Sequence, residues 1–542
     1  MRTSNAFGTL VGIMLAIALG ACTRVIPSNS PGEHNAWTLP GTVRIGVPAE
    51  PDNINPLLGN SAATDDIDAL LFAPLFRYDP DGNFIPELAS EVPTRANGGI
   101  SPDGTRIVLH LRRNVLWSDG VPLTGRDLLF TYSAVMNPAN SVKTRSGWDE
   151  IASMRLRDPA TVVVTLKRPD VTVLGLFANG GSAYPPLPAH LLKKLPSLDH
   201  AAFNEQPLSS GPWVLRSWQR GASLSFVPNP RYWRGPPKAR EILWKVIPDD
   251  QTMFAALSAH EIDVDPNVSE DQIDRASALP GITVARRLLA NRRRITINTA
   301  HPPLDDVRIR RALAQGVNWH RLLQTVYHER NVPAVSDIVP SSWAAPKIPP
   351  YAYDPAQARR LLDAAGFRVG RDGIRVRDGV PLHLTISATP LAPNVRSEVQ
   401  IQQDLRTIGI VLTIKNYPAS VLFSENGPLL GGHYDLETSI DTNAPDPDNR
   451  DTLSATAVPP YGGNTSFLRD RELTVLANAA VRSFDHATRA KLYQREEARA
   501  HALVPMIPLY WEVGTAAYNR DLRNYRPATY VTNNWNSWEW EN

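Results

Sequence analysis

Apolar and polar positions follow two different rhythms along this chain, and the rhythm switches repeatedly from one end to the other. Residues 42–47 (TVRIGV) form a short β-branched run, and residues 105–112 (TRIVLHLR) alternate with a period of two, the pattern of a half-buried strand. Residues 161–169 (TVVVTLKRP) predict another strand, and 506–511 (MIPLYW) one near the end of the chain. The period lengthens to that of a helix over 125–136, 305–317 and 354–367. Start and stop signals frame these segments: Thr124 stands as an N-cap, and Asp354 caps a helix with Pro355 at its first position and Gly366 at its stop. Residues 400–410 predict a helix that leads into a strand at 411–417. Turns are expected at Asp79-Pro80-Asp81-Gly82 and at Asp119-Gly120. Strand and helix signals that alternate over this length predict a mixed α/β protein of two lobes. The 48 prolines sit mostly between elements, so they indicate long ordered loops and not disorder. No repeat of solenoid length is evident.

The first residues break this pattern. Arg2 supplies a positive charge, residues 10–19 are almost wholly apolar, and small residues precede Cys22. This is the order of a secretory signal, and the apolar run is far shorter than the roughly 20 residues that span a bilayer. Leu19-Gly20-Ala21-Cys22 fits the bacterial lipobox, whose cysteine carries lipid in the mature chain. The alternative is an ordinary cleaved signal with a chance cysteine, but the chain has one cysteine in 542 residues and it falls at this place. Acyl chains contribute about 0.8 kcal/mol per buried CH₂, and more than one chain gives stable anchoring. Residues 23–40, rich in Pro, Ser, Asn and Gly, are expected to form a flexible tether. A single cysteine also excludes a disulfide within the chain, so stability must come from burial. With 42% hydrophobic residues there is enough chain for two or more cores. A net charge of +2 without a basic run gives no argument for nucleic acid.

Catalytic motifs are missing from the sequence. GxSxG, GxxxxGK[ST], GxGxxG and CxxC do not occur, and neither His260-Glu261 nor His328-Glu329 has a second histidine four residues on. Asp79-x-Asp81-x-Asn83 reads either as the start of a calcium loop or as a hairpin turn; Gly82 is misplaced for the former. Residues 441–449 (DTNAPDPDN) read as a metal loop or as a proline-rich loop presenting side chains into a cleft. Thirteen tryptophans supply core and, in part, the aromatic walls that solute clefts favour.

Four ordered groups of residues carry a likeness. The first is Pro86-Glu87-Leu88-Ala89, Ser101-Pro102-Asp103-Gly104-Thr105, and Trp117-Ser118-Asp119-Gly120-Val121-Pro122-Leu123-Thr124 with Asp127. The second is Ser210-Gly211-Pro212-Trp213, Asn229-Pro230-Arg231-Tyr232-Trp233, Ile247-Pro248-Asp249-Asp250 and Glu261-Ile262-Asp263. The third is Ile297-Asn298, residues 302–308 (PPLDDVR) and Arg311-Ala312-Leu313. The fourth is Tyr353-Asp354-Pro355 with Ala358, Leu361-Leu362 and Ala365-Gly366-Phe367. In this order they resemble the extracytoplasmic solute-binding proteins of family 5, the peptide/nickel ABC-importer class that includes oligopeptide- and dipeptide-binding proteins. Most of these residues are turn and cap chemistry, hence fold determinants and not ligand contacts.

The resemblance implies a bilobed α/β fold of the periplasmic-binding-protein type with an extra subdomain on lobe one. Lobe one is expected from 41–80, 209–292 and 511–542, the subdomain from 81–208, and lobe two from 293–510. A peptide or other small solute would lie between the lobes, held largely through its main chain. In the family a carboxylate ahead of an acidic-Pro pair receives the peptide's amine. The matching position is Asn443, with Asp441 nearby to substitute, and the strand before Ile297-Asn298 carries Arg292-Arg293-Arg294 and Thr296 where an acidic residue can stand. Both departures remove negative charge and leave room for an oligosaccharide, an acidic peptide, a metal chelate or another anionic solute. Candidate ligand contacts are Asn53, Asn55, Trp148, Arg292, Asp441, Asn443, Tyr510 and Trp511, with Cys22 the lipidation site. The resemblance further implies an extracytoplasmic, membrane-anchored monomer that serves a permease with its ATPases. No enzymatic activity, metal or cofactor is expected. An exported hydrolase and a sensory lipoprotein are the rival readings.

Overall fold

The computed structural model describes residues 34–178, 183–328 and 330–542. The signal segment, Cys22, residues 23–33 of the expected tether and Glu329 lie outside the described residues. Residues 34–38 contain a turn in which the Thr38 amide donates to the Asn35 carbonyl at 3.0 Å. Leu39–Asn542 is one compact unit.

Among the described residues, an eleven-stranded mixed sheet runs through this unit. Its main path is Val411–Ile414, His383–Ser387, Leu436–Thr442, Ile282–Ile297, Met506–Asn519, Val264–Asp265, Thr42–Val47, Glu241–Val246, Ser223–Pro228 and Trp213–Gln219. Thr42–Val47 pairs in parallel with Glu241–Val246 through all six residues, and its own Val43, Ile45 and Val47 are buried. A smaller sheet of Arg106–His110, Thr161–Leu166 and Ile151–Asp158 carries the helix Gly125–Met136 beside it.

Two strands dominate the topology. Ile282–Ile297 and Met506–Asn519 are antiparallel partners over almost their whole length. At one end they touch a core of Val43, Ile45, Leu70, Phe76, Trp213, Trp244, Ala516 and Trp540. At the other they join a second core of Ile295, Ile297, Leu313, Leu384, Leu405, Ile507 and Tyr510. Midway along the two strands lies a small cluster of Ala290, Ala334, Val339 and Trp511. The chain is thus two lobes, each with its own apolar interior, joined by two continuous strands. Pairing slips where they cross: Leu288 faces Val513 and Arg292 faces Trp511, so four steps on one strand match two on the other.

Local chemistry explains the flanking helices. Thr124 and Asp127 form a reciprocal capping box at the start of Gly125–Met136. Asp306 caps Val307–Gly316, and Asp354 caps Pro355–Ala364, after which Gly366 turns the chain at φ +90°. Asp127 is therefore the third helical residue. The helix expected at 400–410 begins earlier, at Ala392, with a proline in its first turn. The strand expected at 506–511 continues to Asn519, because past the crossing it finds a new apolar surface in lobe one.

Candidate functional site

The crossing of the two long strands collects five of the eight expected ligand contacts. Arg292 and Trp511 are register partners there, and Tyr510 is opposite Arg293. On its other edge the same strand pairs with Leu436–Thr442, which sets Asp441 opposite Arg292. The Asn443 amide then donates to the Ala290 carbonyl at 2.8 Å, and its Nδ2 donates to the Asp337 carbonyl at 2.5 Å.

Charge at this crossing is interlocked. Arg292 Nη2 reaches Asp441 Oδ2 at 2.8 Å and Nη1 pairs with Asp337, while Arg294 Nη2 donates to Asp441 Oδ1 at 2.9 Å. Arg294 also approaches Glu437 at 3.8 Å. Burial opposes the charge on Asp441, but Arg294 and Arg292 outweigh it and hold the carboxyl well below its ordinary range. Glu437 lies deeper, and burial pushes it up to about 7 despite Arg294. Burial, opposed by Arg292, also raises Asp337. Glu497 braces the group from behind, accepting from the Asp337 amide at 3.1 Å and from Asn449 Nδ2 at 2.7 Å.

Several polar atoms on the two strands are buried without a protein partner: Nε1 of Trp511, Oγ1 of Thr515, and Nε and Nη1 of Arg287. Trp511 and Thr515, four residues apart, share one face of their strand, and Arg287, opposite Gly514, lies on the other. The indole and guanidinium nitrogens can donate to a ligand carbonyl or carboxylate, and the hydroxyl can donate or accept.

The remaining three expected contacts lie elsewhere. Trp148 is fully buried in the lobe-one core, stacked on Tyr184 at 5.7 Å and edge-on to Phe177 at 5.5 Å. Asn55 is also buried: its Nδ2 donates to Asn204 Oδ1 at 2.9 Å, and its Oδ1 accepts from the Leu57 amide at 3.1 Å. Asn53 Oδ1 accepts from the Asn55 amide at 2.8 Å. These side chains hold the loop after the first strand in shape. The backbone amides of such a loop need partners, and these asparagine side chains supply them. Arg287, Asp337, Glu437 and Thr515 were not foreseen, and Arg294 was noted only as one of the three consecutive arginines. Three consecutive arginines inside a β-branched run were the one available signal, since such a strand cannot solvate them all.

Neither candidate metal loop reads as one. Asp79 Oδ1 accepts the amides of Asp81 and Asn83 at 2.9 and 2.8 Å, which makes it a hairpin device. Asp446 and Asp448 are held by Arg489 and Arg450 at 2.7 and 2.6 Å. Among the described residues no group of three His, Cys, Asp or Glu is arranged to hold a metal ion, and no helix is long and apolar enough to cross a membrane.

Two lobes on a pair of crossing strands, with polar groups at the crossing, define a cleft-type binding protein. Residues 83–456 match the model of the bacterial extracellular solute-binding proteins, family 5 (middle region), and the chain belongs to that family. It is 30% identical over 409 residues to Protein XP55 of Streptomyces lividans, covering 74% of this chain and 71% of that one. It is 25% identical over 528 residues to the oligopeptide-binding protein AppA of Bacillus subtilis, covering 95% and 94%. The crystal structure of NikZ from Campylobacter jejuni in complex with Ni(L-His) superposes with a TM-score of 0.77 at 25% identity, over 93% of this chain and all of the other.

Proposed function

We propose that this chain is the exported substrate-binding component of an ABC importer, anchored through lipid on Cys22, and that it takes a peptide or peptide-like solute between its lobes. The observation that carries the reading is the crossing itself: two separately packed cores share continuous strands, one face of which carries Trp511 and Thr515 with buried hydrogen-bonding atoms that have no protein partner. Such groups suit main-chain amides, which every peptide carries in the same form. Similarity to an oligopeptide-binding protein supports the peptide class. Similarity to a protein crystallised with Ni(L-His) supports a small amino-acid chelate as the second reading.

The same reading divides the chain into lobe one (41–80, 209–292, 511–542), its subdomain (81–208) and lobe two (293–510). It makes the protein a monomer at the outer face of a membrane, delivering solute to a permease without altering it. Native mass spectrometry of protein purified without denaturation tests it, followed by thermal shift with trialanine, nonaalanine and the nickel–histidine complex. A ligand that binds only the folded state raises the melting temperature. Retention of a peptide or stabilisation by one supports the first reading, and response to nickel–histidine alone the second. Turnover of a peptide by the pure protein would overturn the binding role.

A further inference from the structure

Just after the acidic-Pro pair Asp446-Pro447, a side chain of lobe two reaches across to lobe one. Arg450 opens the short helix Arg450–Leu453 of lobe two, and its Nη1 meets Asp170 Oδ2 at 2.7 Å. Its Nη2 also donates to Thr172 Oγ1 at 3.2 Å. Asp170 is buried and belongs to lobe one, where its other oxygen caps the 3₁₀ helix Val171–Phe177 by accepting the Thr172 amide at 2.9 Å. Asp448 holds the guanidinium in place from the same loop, accepting from Nε at 2.9 Å.

A second contact lies beside the first. Phe484, at the end of the lobe-two helix Arg471–Arg482, packs against the lobe-one core. Its ring sits so close to the Ser101–Thr105 turn that a Cβ on Gly104 would come within 2.5 Å of it, and Arg95 of lobe one lies 4.6 Å over its face. These partners are separated in sequence by some hundreds of residues and by the hinge strands, so the contacts exist only while the lobes are together.

We propose that Arg450 and Asp170 form a closure clasp that sets how much of the protein is closed, independently of what the cleft contains. This inference rests on the two-lobed cleft reading of the preceding subsection and adds a regulating contact to it. A ligand shifts the equilibrium only by its differential affinity for the two forms. A clasp outside the cleft adds a fixed contribution to every ligand and lengthens residence without choosing among solutes.

The test needs no ligand, so it is decided separately from the identity of the solute. Because Cys22 is the only cysteine, Cys22→Ser frees the full chain for spin labels at Arg157→Cys in lobe one and Val475→Cys in lobe two, both exposed. Asp170→Asn keeps a capping side chain while removing the charge, and Arg450→Gln removes the other partner from a more exposed position. Each is expected to raise the open-to-closed ratio about fivefold, the effect of a partly buried charge pair, with unchanged urea midpoints. The double variant is expected to equal either single. Unchanged distances in both singles, effects that multiply in the double, or a parent already wholly open would each overturn the clasp.

Discussion

Arg292 and Asp441 are register partners on adjacent antiparallel strands, and Arg292 Nη2 lies 2.8 Å from Asp441 Oδ2. With Arg294 on the other oxygen, Asp441 is shared between two buried guanidiniums, and Arg292 also pairs with Asp337. Removing one partner of such a group leaves charge uncompensated, which costs more than the pair itself contributes. Asp441→Ala is therefore expected to lose about 3 kcal/mol of unfolding free energy, read from urea denaturation. A loss below about 1 kcal/mol would show that the cluster is solvated.

Glu398 gives a pH signature. It is fully buried on the helix Ala392–Thr407, Asn416 Nδ2 donates to it at 2.6 Å, and burial pushes its carboxyl up to about 7. The folded form therefore keeps a proton that the unfolded chain gives up from about pH 4.5. Stability falls as pH rises between those values, and the loss is complete above pH 7. Glu398→Gln keeps an acceptor for Asn416 and removes the titration. It is expected to spare the protein on the order of 2 kcal/mol of the loss between pH 5 and pH 8. Parallel curves for the two proteins would show that Glu398 stays ionised.

Local chemistry was legible in the sequence, and chemistry that depends on distant partners was not. Thr124 with Asp127, Asp354 with Pro355, and the Asp79 turn each act within a few residues, so spacing alone identified them. The family stretches carried the fold for the same reason, being mostly turns and caps. Asp441 and Asn443 were singled out by counting along the chain, but their bonding could not be. Arg292 and Asp337 are 45 positions apart, and Arg450 and Asp170 are 280. No periodicity links such pairs. Trp148 shows the converse: an aromatic residue after a helix reads as wall or as core, and only the neighbouring rings of Tyr184 and Phe177 decide it.

Trp148 supports the lobe-one interior through that packing. Trp148→Ala opens a large cavity among Tyr132, Phe177 and Tyr184, and is expected to cost about 3–5 kcal/mol. Trp148→Phe retains most of the ring contact and is expected to cost less than half as much. Urea denaturation measures both. Solute affinity of the folded Trp148→Phe protein is expected to match the parent, and a tenfold loss of affinity without a loss of stability would return this residue to the cleft wall.

The engagement of Asp441 also bears on which end of a peptide the cleft can recognise. Both of its oxygens already accept from arginine, and Asn443, at the position of the expected amine receptor, is neutral and donates to the Asp337 carbonyl. A peptide's ammonium group placed here would meet two guanidiniums before it met a free carboxylate. Capping that amine is therefore expected to matter little. For a peptide that binds, such as trialanine in the thermal-shift series, the N-acetyl form is expected to bind within about threefold of the free form by titration calorimetry. A site with a free buried carboxylate would instead lose about 2–5 kcal/mol on acetylation, a factor of thirty or more. Such a loss would mean that Asp441 leaves Arg292 and Arg294 when ligand enters. The Asp441→Asn variant separates the two cases, because it lowers affinity for the free amine only if the carboxylate is released to meet it.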